Sequence, residues 1–209
     1  FGLMSDVGMF DTIISKLVKK AGTNVITITV LTSIIAMIGH LDGSGASTFL
    51  ITIPTMLPIY KKLNMRKTTL VAVATAAMGV MNLLPWGGPT MRAASVLGIE
   101  ANAIWHQLIP MQIVGIIASL VVAVLMGKME IKRGAGKSIE EDAAEMEVAV
   151  TTASNDLARP KLFWFNLILT VGVILVLSFV KVPTYLPFMV GSAIALIVNY
   201  PGMKNQEKR

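Results

Sequence analysis

Residues 107–126 and 162–180 run for 20 and 19 positions without one charged side chain, and few folds can house two such runs. At about 1.5 Å of rise per helical residue, they match the roughly 30 Å hydrocarbon core of a bilayer. Within lipid every backbone polar group needs a partner from the chain itself, which leaves helices and closed barrels. Continuous rather than alternating hydrophobicity selects the helix. The expected fold class is all-α, a polytopic membrane protein with the lipid bilayer as its surroundings. Composition agrees: 54% of the 209 residues are hydrophobic and 14% charged, with mean hydropathy +0.70.

The net charge of +6 would suit a nucleic-acid partner if the basic residues were clustered on a soluble face. They lie instead between the apolar stretches, and sixteen of the eighteen Lys and Arg residues, all except Arg92 and Lys181, fall on one side of the expected topology. That is the cytoplasmic side by the positive-inside rule, and no nucleic-acid partner is expected. With no cysteine, thiolate sites are excluded, and with two histidines a conventional zinc constellation is not expected. Metal chemistry here must use oxygen donors. The opening FGLMSDVGMF reads as the end of an apolar segment, so a fragment of a longer chain is expected.

In chain order, residues 11–23 carry Lys16, Lys19 and Lys20 between apolar positions, the pattern of a helix lying at the membrane surface. Residues 25–60 form two apolar arms around a polar centre, His40 to Thr48, and both arms return to basic clusters. About 15 helical residues per arm reach roughly 22 Å, short of a full crossing. The expectation is a re-entrant hairpin with its tip near the midplane, although Asp42, Gly43, Ser44 and Gly45 are also what an exposed turn requires. Residues 68–98 are too long for one crossing and are interrupted by two prolines and two glycines in NLLPWGGPT, residues 82–90. A helix broken in its middle is expected there. Residues 107–126 follow as a spanning helix, 128–161 as a cytoplasmic linker with acids at 140–147, and 162–180 and 185–200 as two further spanning helices. Residues 201–209 are a cytoplasmic tail.

Ionisable side chains inside the apolar regions are few: Asp6, His40, Asp42 and Arg92. A charge at the centre of a membrane helix costs roughly 2.5–3.5 kcal/mol by insertion scales, so each implies a partner, a wet cavity or a function. Asp42 is the strongest candidate. Ser47 and Thr48 continue the hydroxyls into the next arm, where a helix N-terminus offers backbone amides to an anion. Unwound backbone at 82–90 would line a cavity, with carbonyls for cations and the amides of Gly87 and Gly88 for carboxylate oxygens. Its alternative is a kink made for packing. Arg92 either grips a carboxylate or snorkels to the interface, and His40 either relays a proton or bonds the tip backbone.

The stretches LDGSGASTFLIT at 41–52 and NLLPWGGPT at 82–90, with MSDVGMFD at 4–11, resemble the signatures of the citrate-metal:proton symporters of the ion-transporter superfamily. The resemblance covers the whole chain. It implies two inverted repeats, each with a re-entrant hairpin and a broken helix, in a protein about twice this length. Residues 1–127 would be the first repeat, and 162–200 the start of the second. It further implies proton-driven uptake of citrate complexed with a divalent cation, magnesium or calcium, across the plasma membrane. No cofactor is bound permanently, the cation travels with citrate, and there is room for a homodimer. Asp42 would contact the metal or carry the coupled proton, with His40 as a second proton carrier. Gly43, Ser44, Gly45, Ser47 and Thr48 would meet citrate from the tip, and Asn82, Gly87, Gly88, Thr90 and Arg92 from the break. A cation:proton antiporter or inorganic-anion permease of the same architecture is the alternative. An enzyme is not expected, since no nucleophile or metal site accompanies His40 and Asp42.

Overall fold

The computed structural model describes residues 2–136, 159–180, 182–183 and 185–201, with the side chains of Ser5, Asp11, Lys19, Lys20 and Ala21 outside that description. Among the described residues every regular element is a helix. The all-α expectation holds. The acidic run at 140–147, the tail beyond Pro201, and Lys181 and Thr184 lie outside the described residues.

Two short helices open the chain, α1 (Gly2–Asp6) and α2 (Met9–Ala21). On α2, Ile14 and Val18 are buried while Lys16 is exposed, the two-faced pattern expected of residues 11–23. Helix α3 (Val25–Gly39) starts where the Asn24 side chain accepts from the amides of Ile26 and Thr27, satisfying two N–H groups that the helix cannot. It runs into a single 3-10 turn, His40–Asp42, and α4 (Gly45–Lys62) returns. Helix α5 (Lys67–Met81) follows, then an irregular stretch at 82–87, α6 (Gly88–Leu97) and α7 (Ala101–Lys132). After a 3-10 turn, Pro160–Leu162, come α8 (Phe163–Phe179) and α9 (Tyr185–Asn199).

Three stretches among the described residues are long and apolar enough to cross a membrane: Val25–Asp42, Ala101–Lys132 and Pro160–Phe179. Element lengths depart from the sequence reading. With its 3-10 turn the first arm reaches 18 residues, and α4 also has 18 rather than about 15. Helix α7 has 32 residues because it extends beyond the uncharged run 107–126 at both ends, from Ala101 to Lys132. The first residues assigned to a linker are therefore helical.

The chain divides into two compact units, residues 1–13 with 153–209 and residues 14–152. In the second, α3 packs against α4, α5 and α7, and α6 packs on α7. Ala36, Ala74 and Ala77 meet with Met37 and Phe49 at the centre, small residues that let helices approach closely. Ser119, Ala123 and Gly127 recur every fourth residue on the buried face of α7. A Cβ at Gly127 would stand 2.5 Å from Thr29 Oγ1 and 3.0 Å from Ile26 Cα, so α3 and α7 touch backbone to backbone there. At the same end Glu130 is 1% exposed and accepts from the Arg66 amide, the Thr69 hydroxyl and Arg133. Its carboxylate therefore caps the positive N-terminus of α5 from α7.

In the first unit, α8 and α9 are joined by a reciprocal amide pair. Asn166 Nδ2 donates to Asn199 Oδ1 at 2.9 Å, and Asn199 Nδ2 donates to Asn166 Oδ1 at 2.7 Å. Arg159 extends this junction, its Nε donating to the Asn199 carbonyl and its guanidinium lying 5.1 Å from the centre of the Tyr200 ring.

Candidate functional site

The tip of the α3–α4 hairpin is built by local bonds that its sequence dictates. Asp42 Oδ1 accepts from the Ser44 amide at 2.8 Å, an Asx turn, and Ser44 Oγ accepts from the Ser47 amide at 3.3 Å, capping α4. Between them Gly43 takes a left-handed φ of 75°, a corner that costs other residues energy. Thr48 is buried, and its hydroxyl donates to the Ser44 carbonyl at 2.8 Å.

The break at 82–87 is tied in the same manner. The Gly87 amide donates to the Leu84 carbonyl at 2.8 Å, and the buried Thr90 hydroxyl reaches back from α6 to the Asn82 and Leu83 carbonyls at 3.3 and 3.2 Å. These carbonyls, from the C-cap Asn82 and the irregular residues after it, have no donor from α5 itself. A Cβ on Gly87 would stand 2.3 Å from the Asn82 oxygen. Only glycine fits.

Tip and break are in contact through residues 42 and 45 positions apart in sequence. His40 is 1% exposed, with Nδ1 2.7 Å from Thr48 Oγ1 and Nε2 3.1 Å from Asn82 Oδ1. Trp86 Nε1 donates to the Leu41 carbonyl at 2.7 Å, and a Cβ on Gly43 would stand 3.1 Å from the Trp86 oxygen and 3.7 Å from Gly87 Cα. The first turns of α4 and α6 thus start from adjoining segments. By position, the amides of Gly45 and Ala46, and of Gly88 and Thr90, have no carbonyl one turn earlier in their own helix. Helix N-termini of this kind favour anions.

Of the residues singled out from the sequence, His40, Gly43, Thr48, Asn82 and Gly87 lie in this contact. Asp42, Ser44, Gly45, Ser47 and Gly88 border it, all partly exposed. Arg92 is exposed on α6, two residues beyond Thr90. Two expectations change in detail. The Gly87 amide is already bonded, and the Thr48 and Thr90 hydroxyls hold backbone carbonyls. Sequence reasoning passed over Trp86 and Glu130. The signal for Glu130 was a single acid among Lys128, Lys132 and Arg133, and for Trp86 a polar aromatic N–H in a stretch otherwise short of donors. Two hydroxyls in the hairpin arms, Ser33 Oγ and Thr52 Oγ1, are buried without a hydrogen-bond partner. Among the described residues no group of three or more acids and histidines gathers into a cation cage.

A hairpin whose tip contacts a helix break, with three helices among the described residues long and apolar enough to cross a membrane, defines a multi-pass membrane protein built as transporters are. Comparison with known proteins names the family. The sequence profile described as "Citrate transporter" matches residues 1–207, and the chain belongs to that family, one of transporters and not of enzymes. Three relatives from Bacillus subtilis (strain 168) cover the whole chain. A protein named "Citrate transporter" is 40% identical over 210 residues, and a "Mg(2+)/citrate complex secondary transporter" is 38% identical over 209. An "Uncharacterized transporter YraO" is 33% identical over 216. The chain spans 48%, 48% and 49% of their lengths, about half of each. No solved structure matches.

Proposed function

We propose that this chain is half of a secondary transporter that moves citrate complexed with a divalent cation, magnesium or calcium, together with protons across the plasma membrane. The observation that carries the reading is the contact of tip and break, which gathers two helix N-termini, one carboxylate and several hydroxyls in one place. A complex of trivalent citrate with a divalent metal has small net charge and many oxygens. Amides and hydroxyls suit it better than a cluster of arginines, and hard cations prefer oxygen ligands. The name of one relative, a Mg(2+)/citrate complex transporter, supports the same substrate.

In this reading residues 25–60 are a re-entrant hairpin, residues 1–127 the first repeat, and 162–200 the start of an inverted second repeat that completes the site. Asp42 has one oxygen engaged by Ser44, and its second oxygen faces the metal–citrate complex. His40 is a second proton carrier. Its Nδ1 meets the Thr48 hydroxyl and its Nε2 the Asn82 side-chain oxygen, so the imidazole links the tip to the break through both ring nitrogens, with donor and acceptor set by its tautomer.

Uptake of labelled citrate by the complete protein in proteoliposomes tests this. It should require magnesium or calcium and an inward proton gradient, and Asp42→Asn should lower the rate at least about tenfold or flatten its pH dependence. Uptake indifferent to the metal would refute the substrate, and an Asp42→Asn variant with native rate and pH profile would refute the role of Asp42.

A further inference from the structure

Trp86 is a large side chain of the break that reaches the tip, and neither the composition of the two stretches nor any relative's name assigns it a role. Its indole N–H donates to the Leu41 carbonyl at 2.7 Å. That carbonyl belongs to the 3-10 turn His40–Asp42, at the end of α3. A carbonyl at a helix C-terminus lacks a donor from its own helix and carries the negative end of the dipole. The backbone of Trp86 acts on the next residue but one. Its carbonyl oxygen and ring edge lie where a Cβ on Gly43 would be 3.1 and 3.4 Å away, so the left-handed corner at Gly43 is pressed against the tryptophan.

We propose that Trp86 is the positioning residue of the tip: its indole holds the Leu41 carbonyl away from bound anions and fixes the Gly43 corner over the first turn of α6. The proposal rests on the reading that tip and break form the substrate site. With the indole bond made, the negative carbonyl is masked, and the groups presented near the two helix starts are amides and hydroxyls. With it broken, Leu41 presents a bare carbonyl to a ligand rich in carboxylates, and the corner is free to move. Another bond remains across the contact, His40 to Asn82, and Thr90 still closes the break on itself. Loss of the indole bond therefore loosens the tip without unfolding the unit. The arms of the hairpin are tied separately, through Thr32 Oγ1 and the Tyr60 hydroxyl at 3.0 Å, and Glu130 ties α7 to the start of α5.

Trp86→Phe tests the bond with little change in bulk, and Gly43→Ala tests the corner independently. In the complete protein, hydrogen exchange of tip amides 40–48 should speed up about tenfold in Trp86→Phe, the factor equivalent to about 1.4 kcal/mol. Exchange around Thr69 and Glu130 should stay unchanged. The apparent KM for magnesium-citrate uptake should rise by a similar factor, with the maximal rate within about twofold of native. Gly43→Ala should show the same local loosening. Native tip exchange and native KM in Trp86→Phe would overturn the proposal, as would loosening that spreads equally to the Glu130 end. If the tip loosens as stated but neither protein moves magnesium-citrate, the transport reading fails and the positioning role stands. If uptake is normal and tip exchange does not change, the reverse holds.

Discussion

Single atoms decide whether the break can exist. A methyl group on Gly87 would meet the Asn82 oxygen at 2.3 Å and the Leu84 oxygen at 2.9 Å, whereas one on Gly79, within α5, would meet nothing within 4 Å. Gly87→Ala should therefore destabilise the protein by about 1–3 kcal/mol, the usual range for forcing an atom into packed backbone. Gly79→Ala should be neutral or stabilising by up to about 1 kcal/mol, since alanine outranks glycine in a helix. Thermal unfolding of the complete protein in detergent reads both, and equal effects would contradict the geometry. The glycines of residues 82–90 were legible in the sequence as helix breakers, but not which of them is irreplaceable. That depends on carbonyls brought back within reach by the turn itself. Thr48 and Thr90 show the same limit. Their hydroxyls were visible as potential ligands, and only the fold reveals that each already holds a backbone oxygen. Asp42 is intermediate, half local turn and half available.

Among the elements, the order of helices, the hairpin with its polar tip and the interruption after α5 were all legible, because hydrophobic runs and glycine–proline clusters act locally. The length of α7 was not. The uncharged run ends at Met126, but the helix continues to Lys132, with Glu130 buried beyond that limit against α5. A buried acid inside a basic cluster reads in the sequence as one more surface charge. Glu130→Ala would leave the Thr69 hydroxyl and the Arg66 amide without their acceptor. The expected loss is about 3 kcal/mol, since unpaired buried donors lose their hydration as well as their bond. Lys128→Ala, on the exposed face of the same helix, should change stability by less than about 0.5 kcal/mol. Denaturant unfolding of the two variants in detergent makes the comparison, and equal midpoints would show that the Glu130 cap contributes nothing.

For the whole molecule, the class was legible from the outset and the completeness of the site was not. Two apolar runs of spanning length require a multi-pass membrane protein, whatever the details. The contact between residues 40–48 and 82–90 could be anticipated only as a coincidence of depth, because sequence distance carries no information on which polar breaks meet. The structure supplies the bonds: His40 to Asn82, and Trp86 to Leu41. The central claim is that metal-bound citrate sits where these two stretches meet. Hydrogen exchange of the complete protein, with and without saturating magnesium-citrate, tests that claim most directly. The account predicts slower exchange in residues 40–48 and 86–91 together, and little change along α8 and α9. Protection confined to other segments, or none in either stretch while magnesium-citrate is bound, would contradict it.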